Sequence, residues 1–133
     1  MGKQEVKHPD KASYTGAYSA GVVCDGWLHV SGQGPVDMRT GQVIPGTTEE
    51  QTRLTLENIE KILRAAGCGR DDVVKCGCYL ADINTFDQFD RAYAAFFGEG
   101  VCPARTTVQA GLRGIKVEID AIARIPNSKQ GST

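Results

Sequence analysis

Arg105, Thr107 and Gln109 alternate along one short run near the end of the chain. Glu118 and Asp120 alternate along the next. Period-two spacing puts each set on one face of its strand. If Gly111–Gly114 is a four-residue turn, Ala110 pairs with Ile115, Thr107 lies opposite Glu118 and Arg105 opposite Asp120. Arg105 is then diagonal to Glu118, with Cβ atoms roughly 7–8 Å apart. A register slip of two keeps both polar sets on one shared face. A guanidinium there offers a fork for a carboxylate. A neighbouring carboxylate can hold a water and accept its proton. The same spacing also fits a cross-strand Arg105–Asp120 ion pair on a wet face, worth under about 1 kcal/mol. Spacing alone favours that simpler use, because charge pairs are more often structural than functional.

Five cysteines are scattered along the chain: Cys24, Cys68, Cys76, Cys78 and Cys102. Cys76-Gly77-Cys78 points two thiols the same way from one strand, but no second Cys or His pair stands at a zinc-like spacing. The histidines are His8 and His29 alone. Reduced thiols acting as small buried hydrophobes are the expectation, with no metal.

These residues need a scaffold. Ala20–Cys24 and Trp27–Ser31 flank Asp25-Gly26, a strong signal for a tight hairpin with positive φ at both central residues. Cys24 then faces Trp27, Val22 faces His29 and Ala20 faces Ser31. Gly32–Pro35 breaks the second strand, and Asp37–Pro45 reads as a loop. Thr47–Gln51 offers a capping box in either of two frames. The helix that follows runs to about Ala66, with Leu56, Ile59, Ile62, Leu63 and Ala66 on one face and Gly67 as its stop. Val73–Leu80 is a strand with Val74, Cys76, Cys78 and Leu80 on one side. A second helix spans Phe86–Phe97, capped by Asn84 or Thr85 and ended by Gly98. Its aromatic stripe is most simply a core face, with Asp90 on or beside it as a carboxylate needing water or a partner. Arg105–Ala110 and Ile115–Ile125 close the chain as two further strands.

The order β-β-α-β-α-β-β predicts an α+β domain with a mixed sheet and both helices on one face. Ala20, Val22 and Ile122 cannot all be placed on the helix side. A second copy of the chain is therefore expected on the other face.

With 133 residues, the length allows one domain. Residues 1–12 and 126–133 read as flexible ends around a domain at 13–125. Hydrophobic residues make up 41%, and fifteen basic against sixteen acidic residues leave a net charge of −1. That balance excludes the basic footprint of a dedicated nucleic-acid binder. No apolar run approaches the length of a membrane span, and the polar start lacks a signal core, so a cytoplasmic protein is expected.

A family resemblance joins these pieces. Pro103-Ala104-Arg105, followed by a strand and then Val117-Glu118-Ile119, resembles the signature of the Rid family, also called YjgF/UK114 or L-PSP. Gly16-Ala17-Tyr18-Ser19 resembles its early G-P-Y-S segment, and Ser31-Gly32-Gln33 matches its S-G-Q. Thr40-Gly41, Asn58-Ile59, Ala65-Ala66-Gly67, Ala92-Tyr93 and Phe96-Phe97 fall in register, so the likeness covers about Ser13 to Ile125.

The resemblance implies a chorismate-mutase-like α+β fold assembled as a homotrimer, with pockets in the clefts between subunits. It implies hydrolysis of reactive enamines and imines, such as 2-iminobutanoate and 2-iminopropanoate, to a 2-oxo acid and ammonia, without a cofactor. By the same resemblance, Arg105 binds the substrate carboxylate. Glu118 holds the water, aided by the main-chain carbonyl of Thr107, and shuttles its proton. Tyr18 lines or closes the site, and Ser31 and Gly32 form its wall.

Two positions depart from many deaminating members: Thr107 stands where they have Cys, and Asp90 where they have Asn. Asp90 brings a negative charge towards a site for anions. Its expected effects are a changed substrate, a weaker site or a pairing with an arginine. Two other functions compete: a translation-inhibiting endoribonuclease, as some members are described, and a trimer that binds a small carboxylate, or acts as a holdase, without turnover.

Overall fold

The computed structural model describes residues 2–11 and 15–127. The expected domain boundary at residues 12 and 13, and residues 128–133 of the expected tail, lie outside the described residues.

Local signals set the first elements. Strands β1 (Gln4–Val6), β2 (Gly21–Cys24) and β3 (Trp27–Gln33) form an antiparallel meander. Asp25 and Gly26 turn the β2–β3 hairpin with φ of 53° and 82°, and Cys24 faces Trp27 as the turn requires. Ser31 N–H donates to the Ala20 carbonyl at 2.9 Å, continuing the expected register. The break expected at Gly32 is a shift in pairing between Val30 and Gln33, with the strand continuing through it. The expected loop at 37–45 carries a small hairpin of β4 (Val36–Asp37) and β5 (Gln42–Val43).

Helix α1 (Thr48–Ala65) starts in the Thr47 frame: the Thr47 hydroxyl accepts from Glu50 N–H, and the Glu50 carboxylate accepts from Thr47 N–H. Its apolar stripe of Leu56, Ile59, Ile62 and Leu63 is buried, and Gly67 ends it at φ 82°. Strand β6 (Val73–Leu80) bulges between Val73 and Lys75. Val73 is therefore buried and Val74, expected on the core face, is 42% exposed. Helix α2 (Phe86–Phe97) follows a single 3₁₀ turn, and Gly98 stops it.

Strands β7 (Ala104–Gln109) and β8 (Val117–Arg124) do not form the expected hairpin. The sheet order is β1-β2-β3-β8-β6-β7, so β6 lies between them, antiparallel to β8 and parallel to β7. Burial explains the insertion. Cys76, Cys78 and Leu80 give β6 a core face of three buried side chains, which suits a central strand. The polar Arg-Thr-Thr-Val-Gln run of β7 suits an edge. Helix α2 supplies the crossover that parallel pairing demands.

Both helices pack on one face of the mixed sheet, over a core that includes Leu28, Leu56, Ile62, Cys78, Phe89 and Ile119. The other face carries the row Val22–His29–Ile122–Lys75. The N-terminal segment, expected to be loose, instead adds β1 to this sheet and then buries His8. Asp10 N–H donates to His8 Nδ1 at 3.1 Å, so Nε2 carries the proton and donates to Asn58 Oδ1 at 3.0 Å. Asn58 Nδ2 donates to the carbonyls of Gly34 and Val36, both at 3.0 Å. One buried amide of α1 thus ties the start of the chain to the segment after β3.

Candidate active site

The topology separates Arg105 from Glu118. Arg105 shares a row with Cys76 and Ala121, both buried on the helix face. Glu118 is three residues from Ala121, so it points to the opposite face, in a row with Tyr79. The shared polar face expected from the sequence is therefore corrected, as is the Arg105–Asp120 pair. Two half-sites replace it.

The first half-site lies on the open face. Tyr18, Ser31, Gly32 and Glu118, which the family resemblance points to, come together there. Tyr18, Gly32 and Glu118 form a wall between two adjoining clefts, of about 420 Å³ and 580 Å³. A Cβ on Gly32 would sit 2.9 Å from Glu118 Cδ and closer still to Oε2, so glycine is what admits this carboxylate. Burial, reinforced by the neighbouring Asp120 charge, raises the pKa of Glu118 above the ordinary glutamate value. Glu118 takes no hydrogen bond among the described residues, whereas Asp120 is fully engaged. Gly77 N–H donates to Asp120 Oδ1 at 3.0 Å and the Tyr79 hydroxyl to Oδ2 at 3.1 Å. One carboxylate is anchored, and the other is left with lone pairs for a water.

Tyr18 is 48% exposed at the mouth of these clefts. Its hydroxyl lies 3.1 Å from Thr15 Oγ1 and accepts from Lys11 Nζ at 3.4 Å. The Thr15 hydrogen bond, then the Lys11 ammonium, hold its pKa below the usual tyrosine range. Ser31 makes a narrower contribution: its hydroxyl donates to the Ser19 carbonyl at 2.6 Å and so fixes the wall.

The second half-site lies on the helix face at the β7 edge. The Arg105 guanidinium carbon stands 5.4, 5.2 and 4.7 Å from the ring centres of Phe86, Phe89 and Tyr93. Three aromatic faces hold the cation in place. Arg105 Nη1 donates to Asp90 Oδ1 at 2.8 Å, the arginine pairing foreseen as one outcome for Asp90. Beneath them, the buried hydroxyl of Thr107 has no hydrogen-bond partner among the described residues. Thr107 lies in the row of Cys78, whose thiol burial pushes up to about 12. That thiol is a neutral packing group here, not a nucleophile.

Several supporting residues escaped the sequence reading: Tyr79 as the anchor of Asp120, Asn58 as the clamp, and the rings of α2 as the cradle of Arg105. The aromatic stripe was visible, but only the β6–α2–β7 crossover reveals that it meets Arg105.

Residues 9–125 match the family described as Endoribonuclease L-PSP. A RutC family protein of Pyrococcus horikoshii is 41% identical over 110 residues, covering 81% of this chain and 86% of that one. The 2-iminobutanoate/2-iminopropanoate deaminase of Rattus norvegicus is 42% identical over 110 residues, covering 81% and 80%. The crystal structure of a protein of unknown function from Yersinia pestis, assigned to the conserved Rid family, superposes with a TM-score of 0.87. It is 35% identical, with 93% of this chain and 100% of that one covered.

Proposed function

The chain belongs to the Endoribonuclease L-PSP family, which includes the Rid proteins, and on that premise we propose that it is a hydrolytic deaminase of 2-imino acids. The observation that carries this reading is the Glu118 carboxylate. It is partly buried, unbonded among the described residues and lodged in a cleft beside Tyr18.

The substrate is R–C(=NH2+)–CO2−. Arg105, immobilised on three rings, takes the carboxylate. Glu118 holds a water, with the Thr107 carbonyl as the second acceptor, and draws off its proton as the oxygen bonds to the imine carbon. The C=N π pair moves to nitrogen. The proton on Glu118 passes to that amine, the C–N bond breaks to release ammonia, and the hydroxyl proton passes by way of Glu118 to the ammonia. The balance is iminium plus water to 2-oxo acid plus ammonium. An iminium carbon is already electrophilic, so a placed water and a proton path suffice. Tyr18 closes the mouth, and Ser31 and Gly32 keep the wall close to the carboxylate.

Arg105 and Glu118 lie on opposite faces of one sheet, so one chain cannot hold both ends of so small a substrate. A neighbouring copy brings its β7 edge to the open face, and a ring of three copies, as the family resemblance implies, forms three such sites.

The test generates 2-iminobutanoate in place with a threonine dehydratase and follows 2-oxobutanoate formation against semicarbazide trapping. Wild type should outcompete the trap. Arg105→Ala should lose about 10²-fold in kcat/KM, the scale of a charge-assisted bidentate contact. A wild-type rate equal to the enzyme-free control rejects the assignment.

A further inference from the structure

Asp90 supplies a negative charge at the point where an anion must bind. The Asp90 carboxylate is 48% exposed, against 24% for Arg105. Its Oδ1 occupies one guanidinium nitrogen, and its Oδ2 takes no hydrogen bond among the described residues. Arg105 cannot swing clear, because Phe86, Phe89 and Tyr93 hold it. The site is therefore a fixed pair of opposite charges side by side, with donors left on the arginine and an acceptor left on the aspartate.

We propose that Asp90 makes this a zwitterion site, which takes the protonated 2-iminio acid and rejects the 2-oxo acid product. The inference rests on the deaminase reading of the same site. An isolated arginine attracts any carboxylate. Paired with an aspartate its net charge is cancelled, so a simple anion gains little. A 2-iminio acid carries its N–H cation one carbon from its carboxylate. It can lay the carboxylate on the free edge of Arg105 and donate the iminium N–H to Asp90 Oδ2. The 2-oxo acid presents a carbonyl oxygen to that same aspartate, and two acceptors repel. Asp90 is thus a specificity-determining residue that separates substrate from product.

Binding by calorimetry tests this with two stable probes, L-2-aminobutanoate for the zwitterion and 2-oxobutanoate for the product. Wild type should prefer 2-aminobutanoate. Asp90→Asn keeps the size of the side chain and removes its charge. It should shift the affinity ratio towards 2-oxobutanoate by about tenfold, with Asp90→Ala moving the same way. An unchanged ratio in both variants overturns the proposal and leaves the deaminase reading standing. An equal loss of both ligands also overturns it, because Asp90 would then only position Arg105. Wild type that binds neither probe removes the carboxylate site itself, and both readings fall together.

Discussion

Glu118 sits where a carboxylate is useful at the expense of stability. Its raised pKa means that the folded state holds this proton more tightly than the unfolded chain does. The stability it contributes is therefore present at low pH and is lost as the pH rises through the folded value. Glu118→Gln should melt a degree or two above wild type at pH 7 while kcat falls about 10²- to 10⁴-fold. A loss of both stability and activity would make Glu118 a structural residue. The same shift places the acid limb of kcat/KM above the ordinary glutamate value of 4.5. An acid limb at or below 4.5 contradicts the assignment of Glu118 as the base. Gly32→Ala needs no unusual backbone, yet its Cβ would drive into the Glu118 carboxylate. Its kcat should fall at least tenfold, measured in the same trapping assay, with little change in Tm. At this scale much was legible. Tyr18, Ser31, Gly32 and Glu118, to which the family resemblance points, share a cleft. The tie between Arg105 and Asp90 was only one of several outcomes, because no pattern within a strand shows what a helix crossing above it will present.

At the scale of elements, short-range signals were reliable and long-range ones were not. Asp25-Gly26 specifies its own hairpin, and the Thr47–Glu50 box specifies its own helix start, because each turn contains all the groups it satisfies. The closing strands misled because a hairpin is the simplest use of two adjacent strands. Here the more apolar β6 takes the central place and α2 carries β7 past it. That exchange moved Arg105 to the helix face and created two half-sites. The N-terminal strand was likewise hidden, since its anchor is a partner fifty residues away, His8 on Asn58. Asn58→Ala would leave the His8 N–H and two main-chain carbonyls without that amide. It should cost about 2–3 kcal/mol in chemical denaturation, with hydrogen exchange increasing first in β1 and the segment after β3. A loss under about 0.5 kcal/mol would mean that water replaces the clamp.

At the scale of the whole molecule, one geometric fact governs the site. Arg105 and Glu118 project from opposite faces of one sheet, and the proposed reaction needs both on one small substrate. The open face, with Val22, His29 and Ile122 in one row, is where a neighbour's β7 edge would meet it. Complementation tests this most directly. Arg105→Ala and Glu118→Gln chains, each expected to be at least about 10²-fold impaired alone and each with its own affinity tag, are co-expressed and purified through both tags. In a three-membered ring, every doubly tagged assembly has one site that draws its arginine from the Glu118→Gln chain and its glutamate from the Arg105→Ala chain. These assemblies should run at about one third of the wild-type rate. Doubly tagged assemblies as impaired as either parent would contradict this arrangement, because both groups would then have to come from one chain.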